Sequence, residues 1–283
     1  MMDEESFAVR KERVTDWNTA ICETNGIAIH YARTGGNKPP LILLHGLTGN
    51  GACWTHLAGA QAGEYDVIMP DARGHGKSSV PEFGYTYEDL ANDVVGLMKA
   101  LRLSSPVLLG HSMGGLTAAV VAARKPNLLR GLILVDPTFL TPRIQRQVFE
   151  SDSANQHRRM LKKSLDELMA EGRTRHPKRS LEVLELIARA RLQTSIRAFD
   201  VLMPPNPDYM QLAEAIDGQT LLVISDAGVV SPAVAAELQR ANPRIQVEQI
   251  PDAGHGLHYD RPDRFAAVVG SFLRSLPALP ATE

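Results

Sequence analysis

The stretch Leu109-Gly110-His111-Ser112-Met113-Gly114-Gly115 stands between two unlike runs of chain. Before it, Pro106 to Leu109 is apolar and β-prone; after it, Leu116 to Arg124 is Ala-rich and helical. Ser112 therefore sits where a strand turns abruptly into a helix, the context that gives the pattern G-x-S-x-G its meaning. A serine at such an elbow is driven into a sparsely allowed backbone conformation, at a cost of about 1–3 kcal/mol, and its neighbours must lack bulk. Gly110 and Gly114 supply that room. The new helix points unpaired N–H groups and the positive end of its dipole at whatever the hydroxyl attacks. Those are the needs of a nucleophile that generates an oxyanion.

Working outward, strands alternate with helices on both sides of the elbow. Thr19 to Glu23 and Ile27 to Ala32 read as a hairpin around Asn25-Gly26. Leu41 to Leu44 is a short buried strand ending in His45-Gly46-Leu47, and a helix is expected over 53–62. Tyr65 to Pro70 is the next strand, closing in Asp71-Ala72-Arg73-Gly74-His75-Gly76-Lys77-Ser78. Apolar residues from Leu90 to Leu101 recur at helical spacing, and Leu132 to Val135 forms another buried strand ending at Asp136. Such alternation builds a parallel sheet with right-handed crossovers.

From Pro137 to Asp217 the periodicity is helical throughout, which predicts an all-helical cap at 137–216 inserted after the sixth strand into a core formed by 1–136 and 217–283. Between Arg143 and Arg197 this insertion carries more Arg and Lys than Asp and Glu. Solvated helix faces account for such an excess, and attraction of an anionic substrate is the other reading. The alternation resumes with Leu221 to Ile224, a helix over 232–241, Ile245 to Ile250, the loop Gly254-His255-Gly256 and a final helix over 262–273. The tail 277–283 is expected to fray.

Composition narrows the function. In 283 residues, 22% are charged and the formal net charge is -2, which argues against nucleic acid or a membrane surface as partner and for a small molecule. Residues 1–13 are acidic and then basic, without an apolar run, so a cytoplasmic location is expected. The 2 cysteines, Cys22 and Cys53, have no metal-like spacing, and neither a disulfide framework nor a metal site is expected.

Taken in chain order, His45-Gly46, Asp71-x-Arg73-Gly74-His75-Gly76-x-Ser78, the Ser112 elbow, Asp226 and Gly254-His255 resemble the α/β-hydrolase family, and the resemblance runs over the whole chain after about residue 24. It implies an α/β-hydrolase fold of about eight mostly parallel strands with an antiparallel N-terminal hairpin. It also implies a triad in the order nucleophile, acid, base. Ser112 is the nucleophile, and His255, in its flexible loop after the last strand, is the general base and later the acid. For the orienting acid, Asp226 after the seventh strand is favoured and Asp136 after the sixth is its rival. Asp252 reads as a turn residue.

The backbone N–H groups of Leu47 and Met113 correspond to the family's oxyanion hole. His111 is expected to support the elbow from below and His45 to prop the oxyanion loop. Asp71 and Arg73 are expected to pair with neighbouring loops, and Cys53 and Trp54 to line either the acyl pocket or the core. The resemblance implies a serine hydrolase cleaving a small carboxylic ester or lactone through an acyl-enzyme, without metal or organic cofactor. It lies nearest the small carboxylesterases, enol-lactonases and cofactor-free haloperoxidases. Carbon–carbon bond hydrolysis, perhydrolysis and a ligand receptor on the same scaffold are the alternatives.

Overall fold

A computed structural model describes residues 17–278. The segment 1–13 and most of the tail expected to fray lie outside the described residues. An eight-stranded sheet runs through the molecule in the order β1-β2-β4-β3-β5-β6-β7-β8. Its strands are β1 (Asn18–Thr24), β2 (Ile27–Arg33), β3 (Pro40–Leu44), β4 (Asp66–Pro70), β5 (Val107–His111), β6 (Gly131–Val135), β7 (Thr220–Ala227) and β8 (Ile245–Gly254). β1 and β2 form the antiparallel hairpin, β2 pairs antiparallel with β4, and every remaining pairing is parallel. Asn25 and Gly26 both have positive φ, 49° and 76°, as a tight turn between twisted strands demands.

The central strands are apolar on both faces because both faces are covered. Ile42, Leu44, Leu108, Leu134 and Leu222 point into one core, against α2 (Tyr87–Ala100), α3 (Met113–Arg124) and α9 (Pro232–Ala241). Their neighbours Leu41, Leu43, Leu109, Ile133 and Val223 point into the other, against α1 (Thr55–Gln61) and α11 (Pro262–Ser275). The period of two along each strand thus divides the core into two layers. A capping box at Thr86 and Asp89 starts α2, and Pro at the first turn starts α9 and α11.

Between β6 and β7 the chain is helical, as the periodicity predicts: α4 (Pro142–Phe149), α5 (Ser153–Met160), α6 (Leu165–Arg175), α7 (Leu181–Leu192), a 3-10 segment Ile196–Leu202 and α8 (Tyr209–Ala215). The 3-10 segment and α8 depart from the rest, Val201 of the former being buried in the α3-side core. Ala213 of α8 joins the same core, and Tyr209 stacks on Phe139 at 5.3 Å, so this helix packs with the sheet layers while α4–α7 lie outside them. A helical period marks both kinds of helix alike, so periodicity by itself groups α8 with α4–α7. Among the described residues no helix is long and apolar enough to cross a membrane.

Topology also sets where a site can form. From β3 the chain turns back to β4, and from β5 it proceeds the other way to β6. The crevice at the carboxyl ends of β3 and β5 is therefore a switch point, where open α/β sheets bind ligands.

Candidate active site

Register brings the site together. In the β5–β6 pair His111 faces Val135, so Ser112 and Asp136 are the first residues past two aligned strand ends. The Ser112 N–H donates to the Val135 carbonyl at 3.0 Å, and the Asp136 N–H to Val223 at 2.9 Å, which pins both backbones to the next strand. Ser112 has φ 53° and ψ -116°, the strained elbow the sequence predicts. That strain persists because the backbones around it are close-packed: a Cβ on Gly114 would lie 2.5 Å from the Leu44 carbonyl oxygen, and one on Gly110 would strike the Gly114 carbonyl.

Three side chains meet there. Ser112 Oγ and His255 Nε2 are 2.9 Å apart, and His255 Nδ1 lies 2.6 Å from Asp136 Oδ2. Asp136 is fully buried, and its carboxylate accepts the Val229 and Val230 N–H groups at 2.9 Å. Such an acid holds His255 with the proton on Nδ1, leaving Nε2 free to accept from the serine hydroxyl. The His255 side chain is 40% exposed, open to a ligand from above.

Asp226, the acid favoured from the sequence, requires correction. It lies at a bulge between β7 and β8, exposed, and its carboxylate accepts the Gln249 side-chain amide and the Asp252 N–H, each at 2.7 Å. The imidazole is engaged by the rival, Asp136. Chain order and a strand-end position describe both aspartates equally; the register of β5 against β6 and the direction of the side chain separate them. Asp252, expected as a turn residue, lies instead within β8 near its end, with φ 53° and a salt bridge to Arg261 at 2.7 Å.

The surrounding histidines are structural. His111 is buried, and its Nε2–H donates to the His255 carbonyl at 2.9 Å, supporting the base's own backbone. Burial, then the neighbouring His255, pushes its pKa down to about 3, so it stays neutral near pH 7. His45 accepts the Ala72 N–H on Nε2 at 2.9 Å and donates Nδ1–H to the Gly46 carbonyl at 2.9 Å, tying the loop after β3 to the loop after β4. His258 is buried in α10 (Leu257–Asp260), stacked on Trp54 at 4.6 Å. Trp54 is therefore core, whereas Cys53 reaches the cavity.

Asp71 and Arg73 behave as loop holders. Asp71 accepts the Gly51 and Lys77 N–H groups at 2.7 and 2.9 Å and the His30 ring at 2.8 Å. Burial opposes its ionisation, but these donors outweigh burial and hold the carboxyl below its usual range. The buried Arg73 donates twice to Asp93 of α2, at 2.6 Å each.

Above Ser112 opens a cavity of about 420 Å³, bounded by the loop Gly46–Gly49, by Cys53 and Tyr259 beneath, and by Ile187 and Arg191 of α7. Leu47 lies on this wall. Met113, as the first residue of α3, has an N–H with no partner inside its own helix. The larger basin lined by Phe83, Met203 and Pro204–Pro207 lies elsewhere and contains none of the three converging side chains. Missed from the sequence were the cavity-lining roles of His176, Arg179, Arg191 and Tyr259. The basic excess of the helical insertion was the sole trace of Arg179 and Arg191, and nothing in the sequence marked His176 or Tyr259.

This elbow, at the switch point of a mostly parallel eight-stranded sheet, defines a class of protein, and the sequence model of the α/β hydrolase fold matches residues 39–262. The chain belongs to the α/β hydrolase family. It is 33% identical over 257 residues to N-formylmaleamate deformylase of Pseudomonas putida, spanning 88% of this chain and 94% of that one. To sn-1-specific diacylglycerol lipase ABHD11 of Mus musculus it is 32% identical, spanning 83% and 81% of the two chains. The crystal structure of the enol-lactonase from Burkholderia xenovorans LB400 superposes with TM-score 0.75 at 26% identity, over 90% of this chain and 100% of that one. All three names are those of hydrolases, one of an N-formyl group and two of ester bonds, open or cyclic.

Proposed function

We propose that the protein is a serine hydrolase that opens a small carboxylic ester or lactone through an acyl-enzyme. The observation that carries this reading is the hydrogen-bonded chain from Ser112 through His255 to Asp136, 2.9 and 2.6 Å long, at the floor of a cavity. A serine hydroxyl is a poor nucleophile near neutrality, so His255 Nε2 accepts its proton as Oγ attacks the carbonyl carbon. Asp136 stabilises the imidazolium that forms without itself taking the proton. The Leu47 and Met113 N–H groups receive the oxyanion; a donor in that role is worth about 10²–10³ in turnover. His255 then protonates the leaving oxygen, and water repeats the sequence on the acyl-enzyme.

The 33% identity to a deformylase favours a second reading, cleavage of an acyl carbon–nitrogen bond by the same side chains. Ester and amide differ in the leaving group that His255 must protonate, and nothing in the elbow itself discriminates them. A short-chain chromogenic ester should give a burst and steady turnover that both vanish in Ser112→Ala. A wild type inert to a panel of esters, lactones and amides, yet binding one of them tightly, would replace this reading with a receptor on the same scaffold.

A further inference from the structure

The cavity over Ser112 holds more positive charge than its own carboxylate neutralises. His176, Arg179 and Arg191 line it from the α6–α7 junction and the last turn of α7, against the single carboxylate of Asp260. Arg179 is committed: its Nε donates to Asp260 Oδ1 at 2.8 Å, and its guanidinium lies 5.4 Å from the Tyr259 ring centre. Burial, then the charge of Arg179, lowers the pKa of His176, which leaves it neutral near pH 7. Burial also keeps Tyr259 and Cys53 protonated.

Arg191 is what remains. It is half-buried and, among the described residues, has neither an ion pair nor a side-chain hydrogen bond, whereas its neighbours Arg189 and Arg179 have both. Burial and the nearby Arg175 and Arg179 lower its pKa, but a guanidinium stays charged in any protein. Holding an unpaired charge in a pocket beside like charges is costly unless an anion arrives to meet it. One surplus guanidinium, planar and with paired donors, matches one carboxylate.

We propose that Arg191 is the carboxylate-binding group of the Ser112 cavity, and that the substrate is a small acyl compound bearing a carboxylate that Arg191 receives while the scissile carbonyl meets Ser112. This assignment rests on the hydrolase reading of the same cavity. A volume of about 420 Å³ is in the range of small-molecule pockets. Ile187 and Cys53 supply the apolar wall for the carbon skeleton.

The full chain tests it with two matched ester pairs. Mono-4-nitrophenyl glutarate against 4-nitrophenyl pentanoate places the charge on the acyl side; 4-acetoxybenzoate against 4-acetoxybenzamide places it on the leaving group. Wild type should favour the charged member of at least one pair by about tenfold or more in kcat/KM, and Arg191→Gln should reduce that ratio by about tenfold. Arg191→Lys should recover part of it. Arg173→Gln, exposed and outside the cavity lining, should leave the ratio as it is. The preference should also shrink as ionic strength rises.

Calorimetry of glutarate with Ser112→Ala reads the subsite without turnover. Binding that is lost on adding Arg191→Gln supports the assignment even if no ester is cleaved, in which case the hydrolase reading alone falls. Turnover of neutral esters, with no charge preference and no Arg191-dependent glutarate binding, overturns the assignment alone.

Discussion

At the residue scale, two aspartates that look alike in sequence have opposite surroundings. Asp136 is sealed under the site with two backbone N–H groups and an imidazole on its oxygens, and Asp226 faces solvent. Asp136→Asn should keep the fold but hold His255 in the wrong tautomer, with kcat falling by about 10³–10⁴. Asp226→Asn should change kcat/KM by less than about twofold, since it alters only an exposed side chain at the β7–β8 bulge. Steady-state kinetics on the pair decides between the two acids; the reverse ranking would remove Asp136 from the proposed mechanism. That Ser112 and His255 would meet was legible from glycine placement and chain order, but that Asp136 rather than Asp226 would join them was not. Which strand-end carboxylate meets the imidazole depends on the register of neighbouring strands and on a bulge, and neither leaves a local mark.

At the element scale, the site is held by loops that bridge strands and helices rather than by any one of them. Arg73, in the loop after β4, grips Asp93 of α2 and also donates to the Gly84 carbonyl, while Asn25 of the β1–β2 turn donates to the same Asp93 at 2.7 Å. One buried ion pair thereby fastens three elements beside the crevice. Arg73→Met removes one partner and strands the carboxylate of Asp93, 5% exposed. Loss of one partner of a buried pair costs about 3–5 kcal/mol, which a urea titration with unchanged m-value should show. A loss under about 1 kcal/mol would mean that Asn25 and water suffice for Asp93. The expectation that Arg73 is a structural residue came from the family resemblance; the sequence alone offers no means of choosing Asp93, twenty positions on, as its partner.

At the scale of the whole molecule, the interior stores several neutral histidines. Burial first, and neighbouring histidines second, pushes both His75 and His111 down to about 3 and lowers His258 well below its ordinary value. In the unfolded chain these rings bind protons below about pH 6.5. Between that value and about 3 the unfolded state therefore holds more protons than the native one, and stability falls as pH falls through this window. His75 and His111 should each contribute on the order of 1 kcal/mol per pH unit there. Urea midpoints measured at pH 7 and pH 5 should show the loss before most carboxylates begin to titrate, and His75→Gln should flatten it. A midpoint constant between pH 7 and 5 would show that these rings titrate as freely in the fold as outside it.

The sequence by itself determined the alternation of elements, the hairpin at Asn25-Gly26, the helical insertion after β6 and the elbow at Ser112. Each of these follows from local periodicity or from the steric demands of a few adjacent residues. Only the tertiary structure decided that Asp136 meets His255, that α8 returns to the core, and that Arg191 lines the Ser112 cavity with no side-chain partner among the described residues. Those outcomes depend on strand register and on which helix face is buried, and both are settled by packing between segments far apart in the chain.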